Sequence, residues 1–156
     1  MIAFKSCYTP TCIIETDAEL QQYKDWYLAI RDELDKHPDK VFLVMSMPAL
    51  FIDRNDVAWA DRSRNFANWL GSDEFLAGHP NLRFFDFFDL IANPDDGSDT
   101  RNMQRPEYRR NPSILDSHPN ELANQVVGPL FAQALLDAAA VPTTTTGWGG
   151  AKAGYR

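Results

Sequence analysis

The sequence predicts an α/β fold built on a parallel sheet, and three observations carry that expectation. Short apolar runs rich in aromatic and β-branched residues recur roughly 40 residues apart, as buried strands do. A segment whose apolar residues fall at helical spacing follows each run. Strands that alternate with helices need crossover connections, and these make neighbouring strands parallel.

The first run is Ile2-Ala3-Phe4, leading into Lys5-Ser6-Cys7-Tyr8. A helix is predicted to open at Thr16-Asp17-Ala18-Glu19, where Thr16 and Glu19 have capping-box spacing and can satisfy each other's amides. Leu20, Tyr23, Tyr27, Ile30 and Leu34 give it one apolar face, and His37-Pro38 ends it. The second run, Val41-Phe42-Leu43-Val44-Met45, is apolar throughout and so suits a central strand buried on both faces. A helix over Val57–Leu70 follows, with Phe66, Trp69 and Leu70 inward, Asp61, Arg62 and Arg64 outward, and Gly71 as its stop. Ser72 can cap a further short turn carrying Phe75 and Leu76.

The third run is Leu82-Arg83-Phe84-Phe85-Asp86-Phe87-Phe88, read as one strand. Pro94 to Asn111 reads as a long polar loop, a kind of segment that is usually functional or mobile. The last helix begins after Asn120 and carries Leu122, Val126, Leu130 and Ala134, with Val127, Phe131 and Leu135 beside them. Pro129 should kink it, because proline cannot donate to the carbonyl of Gln125. Residues 142–156, Pro-Thr-Thr-Thr-Thr-Gly-Trp-Gly-Gly and on, are low in complexity and are expected to be a flexible tail to a domain over residues 1–141.

Composition narrows the function. The chain has 156 residues, 44% hydrophobic and 24% charged, the profile of one globular domain. Its net charge of −7 would repel a phosphate backbone, so nucleic acid is not an expected partner. No apolar run is long enough to span a bilayer, and Met1-Ile2-Ala3-Phe4-Lys5 does not read as a signal peptide; no compartment is indicated beyond a cytoplasmic default. Cys7 and Cys12 are too few for a disulfide framework and form a weak metal signal, so neither a metal nor a cofactor is expected.

In a parallel sheet, ligands bind outside the carboxyl ends of the strands. That rule sorts the three histidines. His37 and His79 lie between a helix and the next strand, at the amino edge; His118 lies before a helix, on the functional edge. The distinction separates two copies of one tripeptide, His79-Pro80-Asn81 and His118-Pro119-Asn120. A histidine acting as general base needs an acceptor on one ring nitrogen, and Asp116 is placed to supply it. The alternative is that Asp116 or Asn120 merely caps the helix while His118 packs. Ser6, Cys7 and Ser46 lie at the same edge, where a hydroxyl or amide can stabilise an oxyanion and Cys7 can serve as a thiolate nucleophile. Asp86 and Asp89 read as a loop anchor and a helix-start residue.

Phe4-Lys5-Ser6-Cys7-Tyr8, Met47-Pro48-Ala49-Leu50 and Asp116-Ser117-His118-Pro119-Asn120 together resemble the C-terminal half of an SGNH/GDSL-type hydrolase, over about residues 2 to 137. The resemblance implies a flavodoxin-like, three-layer α/β/α fold. It also implies an ester hydrolase acting on carboxyl or O-acetyl esters, small or on carbohydrate, with His118 as base and Asp116 as its orienting acid. Ser6 and Cys7 would stand at the oxyanion block, where the family normally has Asn, and the spacing is Asp-x-His rather than the family's Asp-x-x-His. The Gly-Asp-Ser-like block with the nucleophile is missing, and Gly97-Ser98 lies in a loop rather than at a strand-to-helix turn. By this resemblance the chain is truncated, beginning at what would be the third strand. An N-terminal fragment or a second copy would then cover the open sheet edge. Two other readings stay open: a non-catalytic scaffold that binds a partner through that edge, and a thiol hydrolase using Cys7 and His118.

Overall fold

A computed structural model describes residues 1–6, 13–111 and 116–140. Three strands, β1 (Ile2–Lys5), β2 (Phe42–Met45) and β3 (Leu82–Phe85), form a parallel sheet in the order β1-β2-β3. The wholly apolar run is the central strand, as expected: Phe42, Leu43 and Val44 are all buried. Cys7, Cys12 and the 142–156 tail lie outside the described residues.

Helix α1 spans Asp17–Leu34 and opens with the predicted capping box, in which Thr16 Oγ1 accepts from the Glu19 amide and Glu19 Oε2 accepts from the Thr16 amide. Tyr23 and Tyr27 carry its buried face onto Phe66 of helix α2 (Val57–Leu70). Gly71 ends α2 at an ordinary φ of −93°, so conformational freedom is not why glycine stands there. Space is the reason: an added Cβ would lie 2.7 Å from Phe84 Cδ1 and Cε1. The short helix α3 (Asp73–Leu76) buries Phe75 against Trp69. The Ser72 hydroxyl is not its cap and donates instead to the Trp69 carbonyl.

The third apolar run divides. β3 stops at Phe85, and Phe87 and Phe88 belong to helix α4 (Phe87–Ile91). Asp86 turns the chain by accepting from the Asp89 amide, while Ser46 Oγ accepts from the Phe88 amide, so Phe88 is buried from a helix rather than from a strand. Neighbouring strand residues face opposite sides of a sheet. Phe84 meets Gly71 at the end of α2, whereas Phe85 meets Phe131 of helix α5 (Glu121–Ala140). The fold is therefore mixed α/β on a parallel sheet, with an arrangement compatible with three layers.

Further expectations are corrected. Arg64 does not face solvent: its guanidinium is buried over the Phe88 ring, 4.8 Å from the centroid, with Nε donating to Asn102 Oδ1 at 2.8 Å and Nη1 to Asp89 Oδ1 at 2.6 Å. The 94–111 segment is not a featureless loop. Asn102, Met103 and Gln104 are buried, Pro106–Tyr108 forms a 3-10 turn, and β4 (Arg109–Asn111) pairs antiparallel with β5 (Asp116–Pro119). Helix α5 includes Pro129; Ala123, Val127, Leu130, Phe131, Ala134 and Leu135 pack toward the core as read from the sequence, whereas Leu122 and Val126 are exposed.

Candidate functional site

The site is built on the β4–β5 hairpin, and the sequence around it explains where the hairpin sits. The segment after β2, Ser46 to Phe51, runs buried along the carboxyl edge of the sheet. Two contacts fasten the hairpin to it. The Gln104 amide donates to the Leu50 carbonyl at 2.7 Å while its side chain donates to the Ser117 carbonyl at 3.3 Å. Arg109 lies 3.9 Å from the centroid of Phe51 and pairs with Asp53 at 2.9 Å. Asn120 closes the structure at the base of α5. Its Oδ1 accepts from the Ala123 amide, and its Nδ2 donates to the Glu107 and Arg109 carbonyls at 2.7 and 3.1 Å.

On this frame His118 Nδ1 lies 2.6 Å from Asp116 Oδ1, and the His118 amide donates to the same oxygen at 2.9 Å. The backbone bond from His118 is the larger cause, with its side-chain bond next, that holds the Asp116 carboxyl below the usual carboxylate range. Arg110 adds a weaker attraction, its Nη1 lying 3.9 Å from Asp116 Oδ2. An ionised carboxylate only accepts hydrogen bonds, so the proton between the two groups belongs to Nδ1. Nε2 is then the basic atom of the ring. The His118 side chain is 62% exposed while Asp116 is 20% exposed, so the acid is sheltered and the imidazole is presented.

The second His-Pro-Asn is a natural control. His79 Nδ1 also pairs with a carboxylate, Asp35 Oδ2 at 2.7 Å, and Asn81 Nδ2 also donates to a backbone carbonyl, that of Leu34. There the pair joins the end of α1 to the approach to β3, and the His79 side chain is only 18% exposed. The His79 pair staples elements far apart in sequence. The His118 pair joins residues two apart within one strand.

The remaining predicted residues fall elsewhere. Ser6 lies against α1, where its amide donates to Tyr27 Oη at 3.2 Å. Ser46 is fully buried; its hydroxyl donates to Asp86 Oδ1 and accepts from the Phe88 amide, so it anchors the start of α4. Burial pushes the Asp86 carboxyl up, and the bonds from Asp89 and Ser46 offset part of that rise. Asp86 and Asp89 thus act as a helix cap and an ion-pair partner, in keeping with the structural reading of both. Ser98 sits on the 94–101 turn, its amide donating to Asp96.

Sequence reasoning missed the polar network that fixes this turn. Asn102, buried at φ 62°, donates to Asp61 and Asp95 and accepts from Arg64. Burial raises the Asp61 carboxyl, yet the bonds from Arg101 and Asn102 together outweigh it and leave it below its ordinary value. The signal was Asn itself, the residue type most at ease outside glycine in the left-handed region. Among the described residues no cluster of three or more His, Cys, Asp or Glu is placed to hold a metal ion, and no helix is long and apolar enough to cross a membrane. Comparison with protein-family models, with curated proteins and with solved structures returned no match.

Proposed function

We propose that this chain supplies the base half of an SGNH-type ester-hydrolase site, with His118 as general base and Asp116 as its positioning acid. The observation that supports the reading is the 2.6 Å bond between Asp116 Oδ1 and His118 Nδ1, on an imidazole that is exposed. In the reaction a serine hydroxyl gives its proton to His118 Nε2 as its oxygen attacks the ester carbonyl. The tetrahedral intermediate collapses, and the departing alcohol takes that proton from His118. Water repeats the sequence on the acyl-serine and releases the acid. Asp116 holds the ring in the tautomer that leaves Nε2 basic and stabilises the imidazolium.

Ser46 is sealed by its own hydrogen bonds and does not serve as the nucleophile. In this proposal the serine comes from polypeptide outside these 156 residues. The test is hydrolysis of p-nitrophenyl acetate by the chain alone and after mixing with a serine-bearing N-terminal fragment of an SGNH hydrolase. The chain alone should be inactive, and the mixture should gain activity that His118→Ala lowers by about a hundredfold or more. A folded complex with no activity, or activity indifferent to His118→Ala, would refute the proposal.

A further inference from the structure

A second surface, apart from the hairpin, has the chemistry of a small-molecule site. Between β1 and α1 lies a groove of about 280 Å³ whose walls are Phe4, Tyr23, Trp26, Tyr27 and Ile30. Tyr23 and Tyr27 form a rigid floor, buried and braced edge-on by Trp26 and Phe66 at ring separations of 5.3 and 5.1 Å. Trp26 is 49% exposed and Ile30 39%, large apolar areas to leave facing water on a chain of charge −7. Lys5, the last residue of β1, lines the same groove, and no ion pair or hydrogen bond engages its ammonium among the described residues.

We propose that this groove binds a medium-chain monocarboxylate. Each part of the ligand answers one feature of the groove. The aromatic and aliphatic walls take a hydrocarbon chain, and the single unpaired ammonium takes one negative charge. Among the described residues Lys5 is the only cationic one lining the groove, which favours a monoanion over a phosphate dianion. Length follows from volume. At roughly 30 Å³ for a methylene-sized group, close to a water's share of the liquid, the groove holds about eight or nine carbons. The inference does not depend on the His118–Asp116 reading.

The test uses the full chain and the sodium salts of butanoate, hexanoate, octanoate and dodecanoate, followed by calorimetry and by tryptophan fluorescence. Affinity should rise about fourfold for each added methylene up to octanoate and level off at dodecanoate. Lys5→Gln should weaken octanoate about fivefold and leave 1-octanol unaffected. Ile30→Asp should abolish both. Trp26→Phe should remove most of the fluorescence response while calorimetry still registers binding. His118→Ala should change nothing here, so failure of this inference and failure of the hydrolase reading are told apart. Three results overturn it: no octanoate binding in the millimolar range, equal octanoate binding by Lys5→Gln, or a solution dimer that Ile30→Asp dissociates, which would give the groove to a second copy.

Discussion

Replacing Asn120 by alanine removes three hydrogen bonds at the point where the His118 hairpin meets helix α5. The lost N-cap to Ala123 costs about 1 kcal/mol. Each donation from Nδ2 is worth about 1 kcal/mol, but the Glu107 carbonyl is at an exposed position where water replaces the donor, so that bond counts for less. The sum is about 2–3 kcal/mol, or a fall in Tm of roughly 5–10 °C for a domain of this size. Asn120→Asp separates the contributions. It keeps an acceptor for the Ala123 amide and adds a charge that suits a helix start, yet it has no donor for the two carbonyls and places an anion against them. It should therefore be destabilising although the cap survives. Asn81→Ala is the control, removing the equivalent bond to the Leu34 carbonyl at the other His-Pro-Asn. Thermal and urea unfolding followed by circular dichroism measure all three variants, and the reconstituted hydrolysis assay reads the site. Asn120→Ala should lower both stability and activity, whereas Asn81→Ala should lower stability alone. Wild-type stability in Asn120→Asp would mean that the side-chain donations contribute nothing, and the account of how the hairpin is held would fail.

Other perturbations test separate parts of the structure. Gly71→Ala should destabilise by about 1–2 kcal/mol, since crowding of the Phe84 ring outweighs the ~0.4–1 kcal/mol gained from a stiffer unfolded chain; an unchanged urea midpoint would show that the ring moves freely. Arg64→Met should cost about 3 kcal/mol, because Asn102 Oδ1 loses its donor in a buried position, and unfolding curves would check it. Asp86 has a folded-state pKa above its unfolded one, so its contribution is full below the unfolded value and is lost as pH rises through the folded value. Asp86→Asn keeps the cap without the buried charge and should gain stability over wild type as pH climbs out of the acid range, a difference that urea midpoints across a pH series would reveal; a gap independent of pH would contradict the burial argument. Asp116→Asn should lower kcat with KM little changed in the reconstituted enzyme, because the amide can leave the ring in the wrong tautomer.

Local rules carried much of the architecture. The three strand positions, the capping box at Thr16 and the limits of α2 depend on short-range spacing and on steric preferences within a few residues. The pairing of His118 with Asp116 was legible for the same reason, since the partners are two residues apart. The polar hairpin was not legible. Arg-Arg-Asn and Asp-Ser-His-Pro have no apolar alternation, and their pairing is held by Gln104, Arg109 and Asn120 reaching to distant segments. Helix α5 is apolar on most sides, so its sequence could not say which stripe would meet Phe85.

By itself, then, the sequence determined the alternation of strands and helices and the pairing of His118 with Asp116. Only the tertiary structure decided how far each imidazole of the two His-Pro-Asn tripeptides is exposed, 62% at His118 against 18% at His79. It also decided that Arg64 would be drawn inward. Exposure and long-range pairing depend on what packs from elsewhere in the chain, and no local spacing records that.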